Sequence, residues 1–191
     1  MASTTMDVPS AWGVLEGANL PRGYRVEITD GRILMTPRTV QQSDIVLSVA
    51  AQIDRRLEGG GVVLGDVIVD FPSTEYGYSP DLTVIAPTAR RNRRGRFEWH
   101  SVDAILEVVP QSTRDGDFEK KVRHYAQCAI PVYVTIDPET SLCTMHTEPQ
   151  RDRTYRDREE VPFGRDLVVP TSGNRNLVIN TDSFPGSHDL D

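Results

Sequence analysis

The chain has 191 residues, 38% of them hydrophobic and 26% charged, with a formal net charge of -7. That length fits one domain with a workable core and the composition excludes wholesale disorder, while the acidic balance argues against a protein that coats nucleic acid, since phosphate contacts fall mainly to Lys and Arg. The start MASTTMDVPS lacks a basic region followed by an apolar run, and no apolar stretch approaches the ~18 residues of a membrane helix, so a cytoplasmic protein without a membrane span is expected.

In chain order, the first ten residues are expected to be disordered. Tyr24 to Ile28 and Arg32 to Thr36 alternate in polarity around Asp30-Gly31, a turn pair that predicts a β-hairpin. After Pro37, apolar residues at Ile45, Val46, Val49, Ile53 and Leu57 recur at helical spacing, and Gly59-Gly60-Gly61 closes that helix. Val62 to Phe71, Asp81 to Ile85 and Ala104 to Val109 read as strands of one sheet. A second helix is predicted from about Asp115 to Cys128, leading into the strand Val132 to Ile136 closed by Asp137-Pro138. Ser141 to Thr147, Thr154 to Val161 and Asp166 to Val169 read as further short strands. The expected organisation is one domain over residues 11–184, an α/β fold with a mixed sheet flanked by helices, and a polar tail over 185–191.

Glu107 interrupts Ala104-Ile105-Leu106-Glu107-Val108-Val109, a run that otherwise reads as a strand buried on both faces. An unpaired buried carboxylate costs several kcal/mol at least, so this one needs a cation, a hydrogen-bond network or a metal ion. Asp81 heads another apolar strand, and carboxylates on neighbouring strands could share a hard divalent ion such as Mg²⁺. On the second helix, a core stripe of Phe118, Val122 and Tyr125 puts Lys121 on its flank and turns Lys120 nearly opposite. Taken singly, each of these residues also has an ordinary structural reading: a salt bridge for Glu107, a strand entry for Asp81, and a surface pair with Asp117 one turn away for Lys121.

Other residue types point elsewhere only weakly. Ser112 and Thr113 before the second helix are capping material, the four histidines form no zinc-binding spacing, and Cys128 and Cys143 read as reduced core filler. From Arg90 to Arg96 five arginines fall in seven residues, so Arg90, Arg91, Arg93 and Arg94 are candidate DNA contacts if the run faces the site, and a solvated loop otherwise.

The joint pattern is more specific than its parts. Pro80-Asp81, then Glu107-Val108, Ser112-Thr113, Asp117, Lys121 and Tyr125, resembles the core of the Uma-type restriction endonucleases of the PD-(D/E)XK superfamily. The resemblance also takes in Glu27 and Gly31, the helix after Pro37, Ile130-Pro131 with Tyr133, and Asp137-Pro138, and it covers about residues 20–140. It implies a restriction-endonuclease-like sheet, Mg²⁺ or Mn²⁺ held by Asp81 and Glu107, Lys121 as the catalytic lysine, and hydrolysis of DNA phosphodiester bonds. Glu27, Asp117 and Tyr125 enter as supporting residues. Where the superfamily lysine follows the glutamate by two positions this chain has Val109, so the cation comes from the helix, as in other members of this family. Gln42 stands where relatives often carry a histidine, and Val109-Pro110-Gln111-Ser112-Thr113 stands for a Ser-Pro-Ser-Thr.

Three functions fit this reading: a Mg²⁺-dependent DNA endonuclease, a nuclease-fold protein that binds without turnover, and a metal-dependent hydrolase of small phosphodiesters. Cutting both strands of a duplex with one site per chain would favour a homodimer.

Overall fold

The computed structural model describes residues 24–29, 32–57, 61–65, 69–72, 78–93, 95–109, 117–172 and 175–186, with backbone alone at 25, 26, 29 and 117. The expected disorder of the first ten residues, the Asp30-Gly31 turn and the capping role of Ser112 and Thr113 lie outside them, as does the tail beyond 186. The strands β1 (Tyr24–Thr29) and β2 (Arg32–Pro37) pair antiparallel with Thr29 opposite Arg32.

Helix α1 (Val40–Arg56) starts at a capping box, in which the Thr39 hydroxyl accepts from the Gln42 N–H and the Gln42 side chain accepts from the Thr39 N–H. Its buried stripe is Ile45, Val49 and Ile53. The central sheet has six strands, β3 (Val62–Gly65), β4 (Leu82–Ile85), β5 (Val102–Val108), β6 (Val132–Asp137), β7 (Leu142–Pro149) and β8 (Tyr155–Pro162), in that spatial order. Every neighbouring pair is antiparallel except β5 and β6. Those two are parallel because helix α2 (Asp117–Gln127) carries the chain back across the sheet between them.

Alternation along β5 separates two cores. Ala104, Leu106 and Val108 face α1 and a further hairpin, β9 (Leu167–Thr171) with β10 (Arg175–Ile179), which adds Leu167, Val169, Leu177 and Ile179. Ile105 faces the α2 side with Tyr133, Tyr125 and Tyr78, and Val102 joins it because the register against β4 shifts between Ala104 and Val102. The mixed, two-faced sheet is the expected fold. Edge strand β8 carries exposed Arg156, Asp157, Arg158, Glu159 and Glu160, charges that discourage edge-to-edge pairing with another chain. Among the described residues, no helix is long and apolar enough to cross a membrane.

Two elements depart from the sequence reading. Of the expected strand from Val62 to Phe71, Val62–Gly65 pairs with β4 and residues 66–68 lie outside the described set, while Val69 and Phe71 are buried against the aromatic cluster on the α2 side, next to an isolated bridge from Asp70 to Glu98. Strand β10 was not anticipated. Both cysteines are free and buried, and burial pushes their thiols up, Cys128 to about 11 and Cys143 to about 12, so they stay protonated.

His124 packs against Phe71 and Tyr78 at centroid distances of 5.3 and 5.4 Å, and burial lowers its pKa from 6.5 to about 4. Between those values the unfolded chain takes up a proton that the folded chain refuses. Stability should therefore fall as the pH drops from 6.5 to 4, by on the order of 2 kcal/mol from this residue. Urea unfolding across that window, compared with His124→Phe, should show a shallower pH dependence in the variant; equal slopes would remove His124 as the cause.

Candidate active site at the end of the central strands

The register of β4 against β5 pairs Leu82 with Leu106, and one further step sets Asp81 beside Glu107. Asp81 directly precedes β4, and its Oδ2 accepts the N–H of Val108 at 2.8 Å, tying the carboxylate to the residue after Glu107. Alternation places Glu107 on the sheet face that α2 covers, where it is fully buried.

Helix α2 delivers the cation. Lys121 is 5% exposed while Lys120 is exposed, as the helical spacing predicts. Its Nζ donates to Glu107 Oε2 at 2.9 Å and to Glu27 Oε1 at 2.5 Å, and it lies 5.5 Å from the centre of the Tyr78 ring. Glu27 arrives from β1, so the hairpin closes the site from outside the main sheet. Tyr125, one turn along α2 from Lys121, donates to Glu107 Oε1 at 3.0 Å, and Tyr133 of β6 donates to Oε2 at 3.4 Å. Burial, with the Glu107 carboxylate next in effect, holds the Tyr125 phenol well above its ordinary range, so it serves as a neutral donor.

Arg38, between the hairpin and α1, was not singled out from the sequence. Its Nη2 lies 2.7 Å from Asp81 Oδ1, and it is the most exposed charged side chain of the group, at 12%. Gln42 donates to the Val108 carbonyl at 3.4 Å, joining the start of α1 to the end of β5. Three carboxylates, Asp81, Glu107 and Glu27, thus face two cations, Arg38 and Lys121. Lone charges in this much burial would be costly, and the pairing answers that cost. Asp117 opens α2, and its side chain is outside the described set.

Arg90, Arg91 and Arg93 are exposed on the loop that leaves β4 at the end opposite Asp81. Arg91 stacks on Phe97 at 4.8 Å and donates to the Gly95 carbonyl at 2.8 Å; Arg94 lies outside the described residues.

A mixed sheet flanked by helices carries acidic residues at the ends of two central strands, with a lysine turned onto one of them. A crystal structure of a "putative nuclease belonging to DUF820" from Anabaena variabilis matches with a TM-score of 0.67 at 16% identity, covering 89% of this chain and 94% of that one, a likeness of fold. The sequence profile of the Uma2 family, described as "Putative restriction endonuclease", matches residues 15–180, and the chain belongs to that family. Among curated proteins no significant match was found.

The donor set suits a hard divalent ion. Asp81 and Glu107 offer carboxylate oxygens from adjacent strands, and Mg²⁺ takes one or two carboxylates while keeping waters. Among the described residues no group of three or more His, Cys, Asp and Glu is arranged to hold a metal.

Proposed function

We propose that this chain is a divalent-metal-dependent endonuclease that hydrolyses DNA phosphodiester bonds, with Asp81 and Glu107 as ligands for Mg²⁺ or Mn²⁺ and Lys121 as the catalytic cation. The observation that carries this reading is the buried lysine bridging Glu107 and Glu27 beside the strand end that bears Asp81. When bound, the metal would polarise a phosphoryl oxygen and lower the pKa of a coordinated water. Lys121 offsets negative charge gathering on the phosphoryl group, and Glu27 fixes the direction from which that ammonium approaches. Tyr125 and Tyr133 hold the Glu107 carboxylate in one orientation by donating to its two oxygens.

The test is nicking of supercoiled plasmid with Mg²⁺ or Mn²⁺, alongside calorimetric titration of the same ions. Activity is expected to vanish with chelator and in Asp81→Ala, whose metal response should also be lost. Full activity and an unchanged titration in Asp81→Ala would sink the reading.

A second reading, hydrolysis of small phosphodiesters, is favoured by one observation: the exposed arginines leave from the opposite end of β4 from Asp81. Joint replacement of Arg90, Arg91 and Arg93 should weaken DNA binding and flatten its salt dependence if DNA is the substrate. Turnover of bis(p-nitrophenyl) phosphate without any cleavage of DNA would favour the second reading. Metal and DNA binding without turnover of either substrate would mark a binding protein. Double-strand breaks by a single site per chain would call for a homodimer, which sedimentation during cleavage would reveal.

A further inference from the structure

We propose that Arg38 is a tethered counter-ion that competes with the divalent cation for Asp81, so that the site is held charge-paired until a metal displaces the guanidinium. The inference rests on the metal-ligand role proposed above for Asp81, and it concerns a residue outside that ligand set. The two oxygens of Asp81 have partners of different kinds. Oδ2 is bound by the N–H of Val108, a backbone group of a central strand that cannot leave without opening the sheet. Oδ1 meets Arg38 at 2.7 Å, a side chain on the connection between β2 and α1.

Exposure points the same way. Arg38 is the most solvent-accessible of the five charged side chains, at 12% against 0 to 6% for the others, which makes its contact the one nearest to water among the site's ion pairs. A guanidinium and a hard divalent ion both seek carboxylate oxygens, and one oxygen facing one direction cannot serve both fully. The anchor of Arg38 is rigid on both flanks: Pro37 ends β2, and Thr39 is fixed as the cap of α1. Displacement therefore falls to the arginine side chain rather than to its backbone. Once moved, the guanidinium remains tethered beside the site, where a phosphate oxygen of the substrate is a suitable acceptor.

Competition makes a prediction opposite in sign to that for a metal-supporting residue. Calorimetric titration of Mn²⁺ into Arg38→Gln should give binding about fivefold or more tighter than wild type, because the metal no longer has to displace a cation. In parallel, Arg38→Gln should melt at a lower temperature than wild type without metal and gain more on addition of Mn²⁺. Unchanged or weaker Mn²⁺ binding in Arg38→Gln would overturn the proposal. Should that variant fold only with Mn²⁺, the result supports it in a stronger form. Should it fold under neither condition, Arg38→Lys replaces it: the shorter ammonium should loosen the pair and tighten Mn²⁺ by about two- to threefold, and an unchanged affinity there overturns the proposal. Asp81→Asn separates the two levels of argument. If it binds Mn²⁺ like wild type, the ligand assignment fails and the competition with it; if it loses binding while Arg38→Gln matches wild type, the role of Arg38 alone is wrong.

Discussion

Replacing Lys121 with methionine is expected to destabilise the protein by about 3–5 kcal/mol and to lower phosphodiester cleavage by about 10²–10³-fold or more. The stability loss follows from what remains. Methionine fills most of the lysine's space, yet it leaves Glu107, fully buried, and Glu27, 4% exposed, facing each other without the ammonium that now lies within 2.9 Å of both. Each carboxylate then lacks its main charge partner, and the two repel. Tyr125 and Tyr133 still donate to Glu107, so part of its solvation survives and the fold should weaken rather than vanish. Urea unfolding measures the first effect and plasmid nicking under folding conditions the second. A wild-type unfolding midpoint would mean that the buried ion pair contributes nothing to stability, and wild-type cleavage would remove Lys121 from the chemistry.

Why Lys121 could be found from the sequence, and Arg38 could not, comes down to the range of the contacts. The inward turn of Lys121 is local information: it follows from its angular distance from Phe118 and Tyr125 on one helix. Glu107 was legible because a charge inside an apolar strand conflicts with its surroundings. Glu27 became visible only through family resemblance, since its contact with Lys121 joins residues 94 apart in sequence and depends on how the hairpin docks. Arg38 has no such aid. It stands between a strand end and a helix cap, where charged residues are commonplace, and its meeting with Asp81 depends on the packing of α1 against β5. The missed β10 is a different case, because Leu177 and Ile179 do alternate, after a Gly173-Asn174 turn signal, and a reading carried past Val169 had the material to find it. For Val62 to Phe71 the apolar pattern was real but ambiguous. Val69 and Phe71 are buried by aromatic packing, and hydrophobicity alone does not separate that from a ladder.

Glu107→Gln should separate chemistry from folding in a way that Lys121→Met cannot. The amide keeps the shape of the carboxylate, and with its carbonyl oxygen in the Oε2 position it can still accept from Lys121 and Tyr133, while its NH₂ group meets the Tyr125 hydroxyl oxygen as a donor. Lys121 also retains Glu27, so no buried cation is stranded. The cost to stability should be about 1–2 kcal/mol, below that of Lys121→Met. Cleavage should nevertheless fall by about 10³-fold or more if Glu107 is a metal ligand as proposed, because a neutral amide is a poor ligand for a hard divalent ion. The metal-dependent gain in melting temperature should disappear with it. Cleavage at the wild-type rate in Glu107→Gln would mean that this carboxylate serves to hold α2 against β5, and the search for a metal ligand would have to move to other residues.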